Sequence, residues 1–424
     1  MKIREWDHSL KVRLIGESIM NITFWMFFPF LAIYFAEEFG KGKAGLLLIL
    51  SQVFSVIANL IGGYCADRFG RKRMMVLSSF GQGLSFLLFA FANSPWYESA
   101  LIGFFAFTVA SVFGALYWPA SQAMVADVVE EKDRSDVFAV FYTSINIAVV
   151  IGPILGGIFF FTYRFELMLF AAFTCFLLSF ILFKWTDETV PENASLTNLA
   201  SKNWIGVIVE QIKDYHIIVK DKIFMIFIIA GILSSQTFMQ LDLLIPVYTK
   251  EAIDVQTIFS LGDWIVSING EKAFGILVSE NGFLVALFTV LVSKWVTRFH
   301  EKNVFAISSI LYAVSMWMFG LTDWFWGFVL AMIVFTLGEL LIVGLQQSFI
   351  SVLAPEHMRG QYFAAASLRY TVGRMIAPVA IPLTIWIGYF WTFSVIAILS
   401  LASAAFYYYM FILYRQQKDN TPAQ

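Results

Sequence analysis

Four carboxylates stand in or beside stretches of sequence that are otherwise apolar. Glu17, Asp242 and Glu339 lie inside long hydrophobic runs, and Asp127 lies at the end of another. An ionisable side chain inside a membrane is costly and usually faces a polar cavity. A medium of low dielectric favours the protonated form of a carboxyl group, so such a group can bind and release a proton near neutral pH. The pattern predicts proton coupling at these four positions.

Two arginines, Arg369 and Arg374, share a later apolar run with no acidic residue nearby in sequence. Two interpretations remain open. Either arginine could form a structural ion pair with Glu339, or both could bind an anionic or zwitterionic substrate.

The surroundings of Asp242 favour a role in proton or substrate binding. Gln236, Gln240 and Pro246 make this stretch a polar and irregular helix. We therefore count Gln240, Asp242 and Glu339 among the substrate-binding candidates, together with Arg369 and Arg374.

The composition is that of a polytopic membrane protein, because 59% of the 424 residues are hydrophobic and only 14% are charged. A soluble chain of this size needs more polar surface. The net charge of -2 and the lack of a basic tail give no reason to expect a nucleic-acid partner. The four histidines fall outside the apolar runs and show no metal spacing, and there is no P-loop pattern. We expect a monomer that is not an enzyme and needs no cofactor, with protons, membrane lipids and a small amphiphilic compound as partners.

The apolar runs predict an all-α fold with twelve transmembrane helices, since about 20 apolar residues cross a hydrocarbon core. We predict spans at 13–36, 44–66, 74–92, 98–122, 137–161, 164–185, 223–249, 278–297, 303–320, 324–347, 361–387 and 388–414. Most of the 28 Lys and Arg residues fall on one side of this arrangement. The bias predicts that both termini are cytoplasmic in a cell membrane.

Residues 1–185 and 223–424 each contain six predicted spans, and residues 186–222 form a cytoplasmic connector with an amphipathic helix on the inner membrane face. A shift of 225 residues superposes Arg134 on Arg359 and Pro153 on Pro378, which indicates a repeated six-helix bundle. The second long break, 250–277, is predicted to be a partly ordered outer loop without an assigned role.

A charged turn between the second and third spans has the spacing G-x3-D-R-x-G-R-K-R from Gly63 to Arg73. It resembles the signature loop of the major facilitator superfamily. That family has two six-helix halves with a substrate cavity between them. The resemblance implies a gating latch, with Asp67 at the end of the second span near several cations. The gating candidates here are Gly63, Asp67, Arg68, Gly70, Arg71 and Arg73.

The fifth span contains Gly152-Pro153-Ile154-Leu155-Gly156-Gly157. Proline interrupts the hydrogen bonding of the helix, and glycines permit close packing. We add Gly152, Pro153, Gly156 and Gly157 to the gating candidates. The G-P-x-x-G-G pattern resembles that of the proton-driven drug exporters of the superfamily, although Ala139 and Ala148 replace two earlier glycines.

The stretches 238–246 and 336–339 are similar to those of the multidrug/proton antiporters within this group, as is the long outer loop after span seven. The resemblance implies proton coupling and binding of lipophilic cations by Asp67, Asp127, Asp242 and Glu339. The sequence also differs from the pattern of that group, because Phe141 stands where the group has a further carboxylate. Proton stoichiometry and substrate charge are therefore open.

The sequence favours a proton-driven exporter of amphiphilic drugs or lipid-like compounds that works by alternating access. Trp118, Tyr142 and Asn146 are predicted to face the substrate cavity, since aromatic faces attract lipophilic cations. The alternative is a proton-coupled symporter of peptides or organic anions. The stretch 141–146 resembles the F-Y-x-x-I-N pattern of peptide symporters, but their charged cluster in span one is not reproduced around Glu17.

Overall fold

The structure, a computed structural model, describes residues 6–189, 220–261, 264–353 and 359–419. Their contacts divide the chain into two units. One contains the described residues up to 189 except 41–46, and the other contains 41–46 and the described residues from 220 onward. The predicted amphipathic helix of the connector lies outside the described residues, so it stays a prediction.

The first unit consists of helices that reverse direction through short turns. They are α1 (His8–Phe27), α2 (Leu31–Phe69), α3 (Arg71–Phe91), α4 (Ala100–Val128), α5 (Glu131–Phe159) and α6 (Arg164–Trp185). A 3-10 turn, Phe28–Phe30, joins α1 to α2, and two short strands, β1 (Asn93–Ser94) and β2 (Tyr97–Glu98), join α3 to α4. Helix α3 packs against α4 and α6, and α1 packs against α5 and α6.

The second unit has a similar helical plan with more interruptions. Its helices are α7 (Lys222–Phe238), α8 (Leu244–Ala252), α9 (Gly270–Val296), α10 (Glu301–Leu321), α11 (Phe325–Leu353), α12 (Arg359–Ile376) and α13 (Ala380–Asp419). Two 3-10 turns, Met239–Asp242 and Ala377–Val379, follow α7 and α12. Helix α10 packs against α11 and α13, and α7 packs against α12 and α13, around an aromatic core of Phe227, Phe305, Phe349 and Tyr407.

Ten helical segments of the described residues are long and apolar enough to cross a membrane. Two of them, of 59 and 53 residues, are too long for one crossing: the longer would measure about 90 Å at the helical rise per residue. Each is broken at a glycine with a positive φ, 75° at Gly40 and 76° at Gly388, a conformation that L side chains rarely adopt. With these two breaks the segments agree with the all-α fold of twelve spans that the sequence predicts.

The eighth span begins at Gly270, eight residues before the predicted start at 278. The Asn269 side chain accepts a hydrogen bond from the Lys272 amide, 3.1 Å away, and caps the helix. Glu271 in the first turn pairs with Lys250. The hydropathy of the sequence does not predict this first turn, because its residues are polar. They form hydrogen bonds and an ion pair that stabilise the start of the helix, and so they do not mark a loop.

The predicted outer loop is largely an antiparallel hairpin of β3 (Gln256–Leu261) and β4 (Trp264–Ile268). The Gln256 side chain connects this hairpin to the turn between α10 and α11 by two hydrogen bonds. Its amide nitrogen donates to the Asp323 carbonyl at 2.6 Å, and its amide oxygen accepts from the Phe325 amide at 2.9 Å. The hairpin is therefore an ordered part of the second unit.

The glycines of the fifth span pack α5 tightly against α1. A Cβ atom at Gly156 would overlap the Met26 carbonyl oxygen and the Phe30 ring, and one at Gly152 would overlap Trp25. A backbone oxygen cannot rotate away as a side chain can. These glycines therefore provide the close packing that the sequence predicts, while their role in gating stays a proposal.

Replacing Gly156 by Ala is expected to destabilise the protein by about 1–3 kcal/mol, the usual cost of overpacking. Thermal unfolding in detergent, followed by tryptophan fluorescence, measures this. Gly114→Ala is the matched control. A Cβ there meets nothing closer than the Gln82 side-chain oxygen at 3.6 Å, so it should unfold at the same or a higher temperature. Equal unfolding temperatures for Gly156→Ala and the unmodified protein would contradict this packing.

Candidate functional site

A cavity of about 60 Å³, lined by both polar and apolar side chains, lies inside the second unit. Helices α7, α10, α11 and α12 supply its walls. The lining residues are Gly231, Ser234, Ser235, Phe238, Tyr312, Glu339, Ile342, Gln346, Arg369 and Tyr370. This space is suited to a few water molecules or a small ion and its ligands.

Glu339 is placed in the cavity by the close contact of α11 with α10. The Ser308 hydroxyl donates to the Gly338 carbonyl at 2.6 Å, and a Cβ at Gly338 would lie only 3.1 Å from the Ser308 carbonyl oxygen. The glycine beside Glu339 thus lets the two helices approach. The acidic side chain is consequently held at a fixed depth in the unit.

Asn281 on α9 holds the Glu339 carboxyl group. Its side-chain nitrogen donates to Glu339 Oε2 at 3.0 Å and to Thr336 Oγ1 at 3.0 Å. Asn281 is buried, with 5% of its surface exposed. The sequence analysis missed it, although an isolated amide in an apolar helix was a usable signal, because a buried amide needs partners.

The ion pair considered for Glu339 is absent among the described residues. No salt bridge joins Glu339 to Arg369 or to Arg374 in that part of the chain. Across the cavity, the Tyr370 hydroxyl donates to Gln346 Oε1 at 2.9 Å. The Glu339 carboxyl group therefore accepts a hydrogen bond from Asn281, and Arg369 lines the same cavity without forming a salt bridge with it.

Asp242 ends the 3-10 turn after α7, where the helix is interrupted as the sequence predicts. Leu243 leaves helical geometry with φ -122° and ψ -74°. The Asp242 Oδ1 atom is buried without a hydrogen-bond partner, and the positive charge of Arg374 acts on this group. Asp242 and Glu339 are close enough to repel each other electrostatically when both are ionised. A proton or a cation at either one relieves that repulsion.

Gln240, beside Asp242, has a structural connection. Its side-chain nitrogen donates to the Gln236 carbonyl at 3.0 Å and to the Ala377 carbonyl at 3.2 Å. These bonds tie the 3-10 turn after α7 to the one after α12. Gln240 thus supports the break that carries Asp242, and its part in substrate binding stays a proposal.

A further carboxylate, Glu280, lies in α9 next to Asn281, and the sequence analysis did not single it out. Its Oε2 atom is buried and has no hydrogen-bond partner. Its position inside an apolar run was the same signal that identified Glu339. The α9 helix therefore brings a second acidic group to the same level of the unit.

Glu17 lies in a separate buried network in the first unit. The Arg13 Nε atom lies 2.7 Å from Glu17 Oε1, and the Tyr117 hydroxyl donates to the same oxygen at 2.6 Å. Arg13 also donates to the Ser121 carbonyl at 2.9 Å, and its guanidinium lies 4.5 Å from the centre of the Phe141 ring. Phe141, where related antiporters were expected to have a carboxylate, thus covers this arginine.

The charged turn after α2 closes around Glu188. Gly70 has φ 106°, and a Cβ there would overlap the Glu188 carboxylate. That carboxylate accepts hydrogen bonds from the Lys72 and Arg73 amides at 3.2 and 3.4 Å, which caps the start of α3. The side chain of Asp67 lies outside the described residues, so its pairing stays a prediction.

Asp127 is joined to this turn, because Arg71 Nε lies 3.2 Å from its Oδ2 atom. The Thr189 hydroxyl donates to the same oxygen at 3.0 Å. This pair connects the start of α3 with the end of α4. The geometry places Asp127 beside the turn that is predicted to be a latch, and its roles in gating and in proton coupling stay proposals.

The remaining candidates of the first unit are accessible to different degrees. The exposed fractions of Trp118 and Tyr142 are 51% and 47%, and Asn146 is half-buried. Arg68 donates to the Tyr64 hydroxyl at 2.6 Å. Among the described residues, the second unit brings Asp242, Glu339, Arg369 and Arg374 into one region, and no such cluster surrounds Trp118.

Comparison with known proteins completes the description of the site. The sequence model of the Major Facilitator Superfamily matches residues 14–268 and 257–424. A "Na(+), Li(+), K(+)/H(+) antiporter" of Planococcus maritimus is 60% identical over 419 residues, which are 98% of each chain. A "Multidrug resistance protein MdtH" of Proteus mirabilis is 22% identical over 86% of this chain and 83% of its own. The crystal structure of a POT family transporter in complex with 5-aminolevulinic acid superposes with a TM-score of 0.76 at 18% identity, covering 97% and 96% of the two chains.

Proposed function

The chain belongs to the major facilitator superfamily, and from that premise we propose that it exchanges monovalent metal cations for protons across the cell membrane. It is a multi-pass secondary transporter rather than an enzyme. The observation that carries the proposal is the 60% identity, over 98% of both chains, to the Na(+), Li(+), K(+)/H(+) antiporter of Planococcus maritimus. The cytoplasmic position of both termini is part of the proposal, because it follows from the charge bias.

The cavity of the second unit supports this choice of substrate. A carboxylate, a carboxamide and hydroxyl groups are the oxygen ligands that small hard cations prefer. In this cavity Glu339 supplies the carboxylate and Gln346 the carboxamide, and Ser234 and Ser235 supply hydroxyl groups. The volume of the cavity, about 60 Å³, suits a small ion better than a drug-sized molecule.

Exchange follows from competition for one negative charge. A proton or a metal cation can neutralise Glu339, and the repulsion between Glu339 and Asp242 favours the binding of one of them. Because either ligand removes the same charge, only one of them is required in each half of the transport cycle. Alternating access in this family then carries the cation one way and the proton the other.

Asp242, Asp127 and Glu17 have different parts in the proposal. Asp242 is the second carboxylate of the exchange site. Asp127, paired with Arg71, joins the turn of Gly63, Gly70 and Arg73 as a latch for the change of conformation. Glu17, whose carboxylate lies 2.7 Å from Arg13 Nε, has a structural part in this proposal.

Export of amphiphilic drugs is the second candidate. It is favoured by the similarity to the multidrug resistance protein of Proteus mirabilis, although that identity is only 22%. Trp118, Tyr142 and Asn146 would serve such a substrate. The likeness to peptide transporter structures, at 18% identity or less, concerns the fold alone.

Inside-out membrane vesicles test the proposal. Respiration acidifies their interior, and a dye that is quenched by the pH gradient reports proton efflux when a salt is added. We expect sodium, lithium and potassium chloride each to restore fluorescence, and choline chloride not to. A response to a lipophilic cation but to none of the metal cations would favour drug export instead.

A further inference from the structure

Arg369 is a buried arginine that has no acidic partner in the part of the chain that the structure describes. Its exposed fraction is 2%, and no salt bridge involves it within the described ranges. Its Nε atom donates to the Ala366 carbonyl at 2.8 Å, while its Nη1 atom has no hydrogen-bond partner. The Tyr407 hydroxyl lies near the guanidinium, but the two groups are not oriented to form a hydrogen bond. A buried charge in this condition is costly and calls for a function.

The surrounding residues accommodate this cation rather than neutralise it. The guanidinium carbon lies 4.6 Å from the centre of the Phe227 ring and 5.7 Å from that of Tyr370. A Cβ at Gly231 would overlap the Arg369 Cδ atom, so only glycine leaves room for the arginine stem at this place on α7. Aromatic faces and a glycine recess hold a cation in position without removing its charge.

Arg369 and Glu339 line the same cavity from two different helices, α12 and α11. The cavity that both side chains line has a volume of about 60 Å³. An arginine side chain is long and flexible enough to cross a space of this size. The geometry places a permanent positive charge opposite the carboxylate that would bind the transported cation.

We propose that Arg369 is a tethered cation that competes with the transported metal cation for the Glu339 carboxylate. The inference rests on the proposed cation/proton exchange. While the metal cation dissociates, the guanidinium occupies Glu339 transiently until a proton binds there, and it lies against Phe227 when Glu339 holds either ligand. The competition weakens cation binding, so that the ion is released after transport instead of being held.

The test is the sodium concentration that gives a half-maximal dye response in inside-out vesicles. Arg369→Gln removes the charge. We expect it to lower this concentration at least about tenfold, which corresponds to about 1.4 kcal/mol. The maximal response is expected to stay the same or decrease, because release becomes slower. Arg369→Lys keeps the charge and should remain within about threefold of the unmodified protein.

Two further variants separate charge from structure. Arg369→Met keeps a long stem against Phe227 and serves as a second neutral variant. Arg164→Gln is the matched control, because Arg164 also lies over an aromatic ring, 3.9 Å from the centre of Tyr34, but in the other unit. It should leave the half-maximal sodium concentration unchanged.

Several results would overturn the proposal. One is an unchanged half-maximal concentration in both neutral variants, and another is the same change in Arg369→Lys as in Arg369→Gln. If neither neutral variant reaches the membrane while Arg369→Lys does, the charge serves folding and the proposal is wrong. If the half-maximal sodium concentration changes when chloride is replaced by gluconate, Arg369 binds a dissolved anion instead, and the proposal is wrong. Absence of any sodium response in the unmodified protein would instead refute the exchange on which the inference rests.

Discussion

Glu339→Gln is expected to abolish cation-driven proton release while leaving the fold intact. Glutamine has the same shape and can still accept the hydrogen bond from Asn281, but it can neither release a proton nor attract a metal cation. We expect the sodium-dependent rate to fall by about a hundredfold or more, which corresponds to about 2.7 kcal/mol of activation free energy. The dye response of inside-out vesicles measures it.

The control for this variant is Glu166→Gln, which removes an exposed carboxylate at the start of α6 in the first unit. It should exchange sodium at the unmodified rate. A Glu339→Gln protein that is present at a normal level and retains half of the exchange would show that the carboxylate of the exchange site lies elsewhere, with Asp242 the first alternative.

Glu17→Gln is expected to lower stability strongly, because it leaves Arg13 buried with 1% of its surface exposed and without its charge partner. Removing one member of a buried pair typically costs about 3–5 kcal/mol. Thermal unfolding in detergent should show a large decrease in the unfolding temperature. The double variant Arg13→Met with Glu17→Leu should unfold closer to the unmodified protein, because it buries no unpaired charge.

The matched control is Lys41→Met, which breaks the pair between Lys41 and Glu251 at 2.7 Å. Both side chains of that pair are partly exposed, so its loss should cost only about 0–1 kcal/mol. If Glu17→Gln unfolds at the unmodified temperature but no longer exchanges protons, Glu17 is a proton carrier and not a structural partner of Arg13.

The sequence predicted the fold well because membrane spans depend on local composition. About 20 apolar residues in succession identify a span without knowledge of its neighbours. The two exceptions have a different cause. The polar first turn of α9 and the hairpin of β3 and β4 depend on pairings such as Asn269 with Lys272 and Gln256 with Asp323, which hydropathy cannot detect.

The acidic residues of the site could be found from sequence because a carboxylate in an apolar run is conspicuous. Their partners could not be found in the same way. Whether Glu339 meets Arg369 or Asn281 depends on how three helices face each other, and the structure gives it Asn281. Likewise, the pairing of Asp127 with Arg71 joins residues 56 positions apart. Pairing across helices is set by packing, which one sequence does not reveal.

The substrate was the least accessible feature. A binding site for a metal cation and one for a lipophilic cation both begin with a buried carboxylate, so Glu339 alone cannot distinguish them. The proposal of a small ion depends instead on the size of the cavity and on the groups around Glu339. Those quantities exist only in the folded chain.

Sodium uptake by the purified protein in liposomes is the most direct test. With an acidic lumen and a neutral medium, we expect radioactive sodium to accumulate above its external concentration. The uptake should be inhibited by lithium and potassium, and it should be absent in Glu339→Gln. No accumulation by the unmodified protein, together with uptake of a lipophilic cation under the same gradient, would contradict the assignment of monovalent cation/proton exchange.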